Sequence, residues 1–135
     1  MAFDQGGRLY VALREGNAIY RIDLVSDTIH HVAGTGEQGF SGDGGSALRA
    51  TLAGPKGLAY SHEQLYIADT ENHVIRRVDL KTGIISTVLG TGEKGDGPEP
   101  DPLNCRLNRP HGVFVDRNGW LLVGDSEAHR IRSVK

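Results

Sequence analysis

The sequence is poor in the features that most quickly narrow a protein's chemistry. Its single cysteine, Cys105, excludes an internal disulfide and a paired-thiol metal motif, and fits a reducing compartment. No run of about 18 apolar residues is present to span a bilayer. The opening MAFDQGGRLY lacks the basic start and apolar core of a secretory signal. The chain therefore reads as soluble, with the cytoplasm as default location and no membrane partner. Basic charge is also in short supply: 15 Lys and Arg stand against 17 Asp and Glu, a net charge of −2. That balance argues against a nucleic-acid binder, which carries a basic excess or stripe. Long helical patterns are missing as well. The helix candidate SALRATL, Ser46 to Leu52, and its counterpart DPLNCRL, with Pro102 suited to a first helical position, suffice for one or two turns.

Glycine, by contrast, is abundant: 19 residues of 135, about twice the usual ~7% share. GTGEQG, Gly34 to Gly39, follows an apolar run and fits the G-x-G-x-x-G pattern of a dinucleotide turn. That reading needs parallel strands joined by helices of ten or more residues, and the chain has no room for them. The motif instead belongs to an internal repeat. LYVALREGNAIYRIDL, Leu9 to Leu24, aligns without a gap on LYIADTENHVIRRVDL, Leu65 to Leu80, 56 residues on, and GTGEQG aligns on GTGEKG at the same spacing. Asp125, Glu127, His129 and Ile131 of a third copy stand 56 residues after Asp69, Glu71, His73 and Ile75. Within each unit, four- to six-residue runs such as QLYIAD, VIRRVD and IISTVL alternate with turn-forming stretches. Four short antiparallel strands per unit, joined by a long glycine-rich connection, predict an all-β fold of propeller blades.

P-x-G-[LV]-x-[YV] followed by LYIADTENHVIRRVDLKTGIISTVLGTG closely resembles the NHL repeat, and GTGEQGFSGDGGSALRATLAGP resembles the long connection of bacterial NHL-repeat proteins. The resemblance implies blades of a six-bladed propeller. Blade one departs from it at Leu13, Arg14 and Gly16, where the second unit carries Asp, Thr and Asn. The units run approximately over 1–54, 55–109 and 110–135 of a single partial propeller, with strands counted as four, four and three. Eleven strands cannot close a ring, so the open faces predict either a head-to-tail homodimer of half-propellers or the remaining blades of a longer chain.

Antiparallel alternation puts the loop between strands two and three on the same face as the connection to the next blade. That face gathers the DTENH and DSEAH loops, both connections and the starts of the innermost strands, which place Lys56 and His111 at the border of the central channel. Asp69 with His73, and Asp125 with His129, have the chemistry of metal ligands, but their recurrence in each unit fits a structural role: Asp capping the turn and His bracing the same loop. His111 breaks the repeat, its counterpart being Lys56. The PHG segment also resembles that of six-bladed lyases that bind zinc through channel histidines. A catalytic metal needs about three protein ligands, so His111 is a weak zinc candidate beside its simpler role as a channel-lining side chain. His30 and His31 read as outer-strand residues. Arg21, Arg76, Arg77, Arg130 and Arg132, accompanied by Glu71, Asp79 and Glu127, read as salt-bridged blade surfaces. GFSGDGG, Gly39 to Gly45, lacks the spacing of an EF-hand calcium loop and reads as a flexible connection. Cys105 aligns with Ala50 as a small packed residue. No cofactor is expected, with zinc or calcium the alternative. The function implied is a non-enzymatic binding or scaffold module taking a protein or small polar ligand on the connection face. The alternative is a metal-dependent lyase- or lactonase-like enzyme using His111.

Overall fold

A computed structural model describes residues 1–98 and 101–135. Its eleven strands among these residues form three antiparallel sheets, each in simple up-and-down order. Blade one contains β1 (Ala2–Phe3), β2 (Leu9–Leu13), β3 (Ala18–Asp23) and β4 (Thr28–Ala33). Blade two contains β5 (Leu58–Ser61), β6 (Gln64–Asp69), β7 (Val74–Asp79) and β8 (Ile84–Leu89). Blade three contains β9 (Gly112–Val115), β10 (Leu121–Asp125) and β11 (Arg130–Val134). The all-β propeller architecture and the count of four, four and three strands are those expected from the repeat.

The blades are buried on both faces where they meet, which is why their strands read as nearly unbroken apolar runs rather than alternating ones. In β6, Leu65 and Ile67 enter the core shared with Tyr10 and Ile19 of blade one, while Ala68 joins the core containing Leu121 and Val123 of blade three. Each core also receives side chains from a connection: Ala47, Ala50 and Leu52 in the first, Cys105 and Leu107 in the second. Cys105 is thus a small packed residue, as its alignment with Ala50 implies. The register shifts by a residue at Ile19/Tyr20 and again at Ile75/Arg76. A bulge at the same point of two blades is a designed bend of strand three.

The helix candidate shrinks to a single 3-10 turn, Ala47–Arg49, capped by Ser46, and the second connection has its equivalent at Pro102–Asn104, capped by Asp101. The connections are not loosely held, which corrects the sequence expectation for GFSGDGG. Asp43 accepts from Arg76 Nε at 3.2 Å and from Thr87 Oγ1 at 2.6 Å, and Gly44, Gly45 and Ala47 exchange backbone hydrogen bonds with β8 and the turn before it. The connection therefore lies as an extra edge beside the outermost strand. Part of the second connection, Glu99 and Pro100 of GDGPEPDP, lies outside the described residues.

Candidate functional site

Two devices join each blade to the connection entering it. The first is an Asp–Arg clamp. Asp69 is fully buried, accepts from the backbone N–H of Ala53 at 2.7 Å and from Asn72 at 2.8 Å, and pairs with Arg76 at 3.0 Å. Arg76, fully buried as well, reaches on to the carbonyls of Thr51 and Ser41. Blade three repeats the arrangement: Asp125 accepts from the N–H of Asn108 at 2.7 Å and pairs with Arg132, which also holds Asp96. This corrects two sequence expectations. Neither aspartate makes a side-chain capping bond to its own turn. Arg76 and Arg132 are interior clamps instead of surface partners. The carboxylate is needed because the incoming connection carries N–H and arginine donors that must be satisfied once water is excluded.

The second device is a latch. Gly54 and Arg109 both adopt positive φ, which turns their N–H groups toward the preceding blade. Asn17 Oδ1 accepts from Gly54 at 2.9 Å, and His73 Nδ1 accepts from Arg109 at 3.0 Å. His73 therefore braces the following connection and not its own loop. His129 takes the same left-handed conformation, φ 57, at the exposed side of blade three. Burial holds the His73 imidazole below its ordinary pKa of 6.5, reinforced by Lys94 and Arg109 and opposed by Glu71 and Asp125. A depressed histidine favours the native state above its unfolded pKa and loses that contribution as pH falls from about 6.5 toward the folded value. His73→Asn keeps an acceptor, as Asn17 does in blade one, and removes the titration. Urea unfolding at several values between about pH 5 and 7 is expected to show a shallower loss of stability in this variant than in the parent; identical slopes would exclude His73 as the group responsible.

Beyond the latch, the chain turns through Pro55 or Pro110 into the innermost strands, and Thr70 Oγ1 secures the second turn by donating to the Pro110 carbonyl at 2.7 Å. This brings Lys56 and His111 together, Nζ to Nε2 at 3.1 Å. Gly57 permits the approach of the two inner strands, because a Cβ there would meet the His111 carbonyl and the Cα of Gly112. Burial, with Arg14 and Arg109 nearby, lowers the Lys56 pKa; burial, with Lys56 and Arg109, lowers that of His111. An ammonium donating to neutral Nε2 leaves the imidazole proton on Nδ1. Beside this pair, Arg109 bridges Glu71 of blade two and Glu127 of blade three, each at 2.6 Å. The two carboxylates hold Arg109 well above its ordinary value, and Arg109 holds Glu71 below its own.

Of the six residues singled out in the sequence, Lys56 and His111 form one partly exposed polar pair. Asp69, His73 and Asp125 serve the joints, and His129 is an exposed residue of blade three. Sequence reasoning missed the Arg109 bridge. The recurrence of Glu15, Glu71 and Glu127 at 56-residue spacing was visible, but Arg109 replaces Gly54 and so had no repeat to announce it. Among the described residues no group of three or more His, Cys, Asp and Glu side chains is placed to hold a metal ion, and no helix is long and apolar enough to cross a membrane.

The chain is similar to known proteins over nearly its full length. The Teneurin NHL domain model matches residues 1–105 and the NHL repeat model matches residues 107–132. Human NHL repeat-containing protein 2 (Homo sapiens) is 31% identical over 133 residues, covering 92% of this chain and 18% of that protein. The chain thus spans less than a fifth of that relative's length. Among solved structures, an auxiliary nutrient binding protein from Bacteroides thetaiotaomicron superposes with a TM-score of 0.81 at 23% identity, over 99% of this chain and 36% of the other. A catalytically inactive virginiamycin B lyase from Staphylococcus aureus superposes with a TM-score of 0.62 at 19% identity, over 99% and 36%. At such identities the two structures speak for the fold alone. With the repeat, the blade topology and the family matches in agreement, the chain belongs to the NHL-repeat family of β-propellers.

Proposed function

We propose that this chain is a binding module whose ligand or protein partner docks on the face carrying the long connections, with Lys56 and His111 as the central contacts. The observation that carries the reading is their pairing at 3.1 Å where the innermost strands begin, beside the Arg109 bridge to Glu71 and Glu127. Donors and acceptors held close together, only partly exposed, suit a polar ligand with charges of both signs. The nutrient-binding function named for one structural relative supports a binding role by analogy of fold. A six-bladed ring, completed by a second copy or by further blades, would place this pair at the rim of a central channel.

A free amino acid, which carries both charges, is the probe. In an NMR titration it is expected to shift the His111 ring resonances saturably, and Lys56→Ala is expected to weaken the interaction roughly tenfold, the scale of one hydrogen bond to a charged group. No saturable shift with an amino acid, acetate or phosphate would overturn the small-ligand form of the reading. The competing enzymatic reading, a metal-dependent lyase- or lactonase-like propeller using His111, draws on the lyase neighbour. Metal analysis separates the two: stoichiometric zinc or calcium in the purified chain favours the enzyme.

A further inference from the structure

Where blade one meets blade two lies a cavity of about 360 Å³, lined by Arg14, Glu15, Asn17, Gln38, Gly54 and Glu71. We infer that it is a guanidinium site, in which the arginine side chain of a ligand lies between the carboxylates of Glu15 and Glu71. The joint between blades two and three already makes this contact within the chain. There Arg109 donates through Nε and Nη2 to Glu71 and through Nη1 to Glu127. At the first joint the two acidic positions are held by Glu15 and Glu71, each 56 residues before its counterpart, while Gly54 stands where the second joint has Arg109. Glycine supplies the backbone of the latch without its cation.

The two positions share their backbone geometry, with φ 59 at Gly54 and 51 at Arg109, and each N–H is held by the preceding blade, through Asn17 or His73. A side chain built from Gly54 would run into the cavity, since its Cβ would meet Glu71 Cγ at 2.9 Å and Arg14 Cγ at 3.9 Å. The space that the Arg109 side chain fills at one joint is thus open to a ligand at the other. Glu15 is exposed and has no ion-pair partner among the described residues. Glu71 Oε1 accepts from Arg109 Nη2 at 2.6 Å, whereas its Oε2 makes only a 3.3 Å contact with Arg109 Nε and keeps lone pairs for a guest. A planar fork of donors reaches two carboxylates at once, as Arg109 does, so the site suits a guanidinium better than the point charge of an ammonium. Arg14 adds a cation to the lining, which suits the carboxylate of free arginine; an arginine within a peptide brings none. The shared chemistry is an alkylguanidinium, and the site is separate from the Lys56–His111 pair.

The intact chain is titrated with free arginine, with acetyl-arginine amide, which presents the side chain as a peptide does, and with acetyl-citrulline amide, whose urea is neutral. The backbone amides of Gly54 and Asn17 are the NMR reporters, so the readout does not depend on His111. Both arginine compounds are expected to shift them saturably, and the citrulline compound to bind at least about tenfold more weakly, because its hydrogen bonds to the carboxylates are no longer between charged groups. The tighter of the two arginine compounds marks the source, amino acid or peptide. Glu15→Gln, at an exposed residue, is expected to weaken both about tenfold. Gly54→Arg is expected to abolish their binding by supplying the guanidinium from within the chain. Equal affinity for the arginine and citrulline compounds, no saturable shift, or undiminished binding by folded Glu15→Gln would overturn the inference.

Discussion

Arg76→Ala is expected to destabilise the chain by about 3–5 kcal/mol, the range for removing one partner of a buried ion pair. Native domains hold only about 5–15 kcal/mol in total, so the variant should lie close to unfolding. The effect is large because Arg76 does more than neutralise Asp69. Its guanidinium holds Asp69, Asp43 and the carbonyls of Thr51 and Ser41, and its loss leaves the Asp69 carboxylate, which is 0% exposed, without a cation. The β7 strand and the connection would separate together. Blade one supplies the control, since Leu13 and Tyr20 stand where blade two has Asp69 and Arg76. The double replacement Asp69→Leu with Arg76→Tyr removes both charges at once and is expected to be less damaging than Arg76→Ala, although Ala53 N–H and the two carbonyls lose partners. Urea unfolding of the single and double variants measures the pair as a cycle. A single-variant loss below about 1 kcal/mol, the scale of an exposed pair, would show that the clamp carries little of the joint.

Gly90→Ala is expected to cost roughly 3 kcal/mol, combining backbone strain with a steric clash. Gly90 has φ +105, and a Cβ on it would strike the His73 carbonyl and meet Val74 Cα and Cγ1 at 3.0 Å. Backbone atoms of β7 cannot swing aside as a flexible side chain would. The same glycine donates to the Pro102 carbonyl at 2.9 Å, so any shift that relieves the clash also loosens the connection. Gly83 separates the two contributions: its φ is +76, yet nothing lies within 4 Å of its would-be Cβ. Gly83→Ala should therefore cost only about 1 kcal/mol, the strain alone. Equal losses at the two positions, by thermal or urea unfolding, would show that close approach to β7 is unimportant.

These expectations also explain the glycine motif that resembles a dinucleotide turn. Gly34 repeats the Gly90 geometry, with φ +84 and a Cβ position blocked by the Asn17 carbonyl and Ala18 Cα. The geometry shared by Gly34 and Gly90 lets the chain leave an outer strand and pass over the start of strand three toward the next blade. A phosphate cradle would need a helix N-terminus behind the glycines, and the described residues hold no α-helix.

Much of the molecule was legible before any coordinate. The 56-residue spacing, the short apolar runs and their turn residues established blades and strand count, because periodicity and alternation are properties of neighbouring positions along one chain. The partners of the polar residues were not legible. The turn sequence points Asp69 to its own turn, yet it binds Ala53, sixteen residues earlier; it points His73 to its own loop, yet His73 binds Arg109, 36 residues later. The repeat showed that these side chains recur, while only the packed blades showed which distant N–H or guanidinium meets each of them. Sequence by itself therefore determined the repeating β architecture, and tertiary structure decided that the recurring polar residues are joints and that the Lys56–His111 pair stands apart from them. The reason is that burial makes a polar group's partner obligatory, and which groups are buried together depends on how one blade lies against the next.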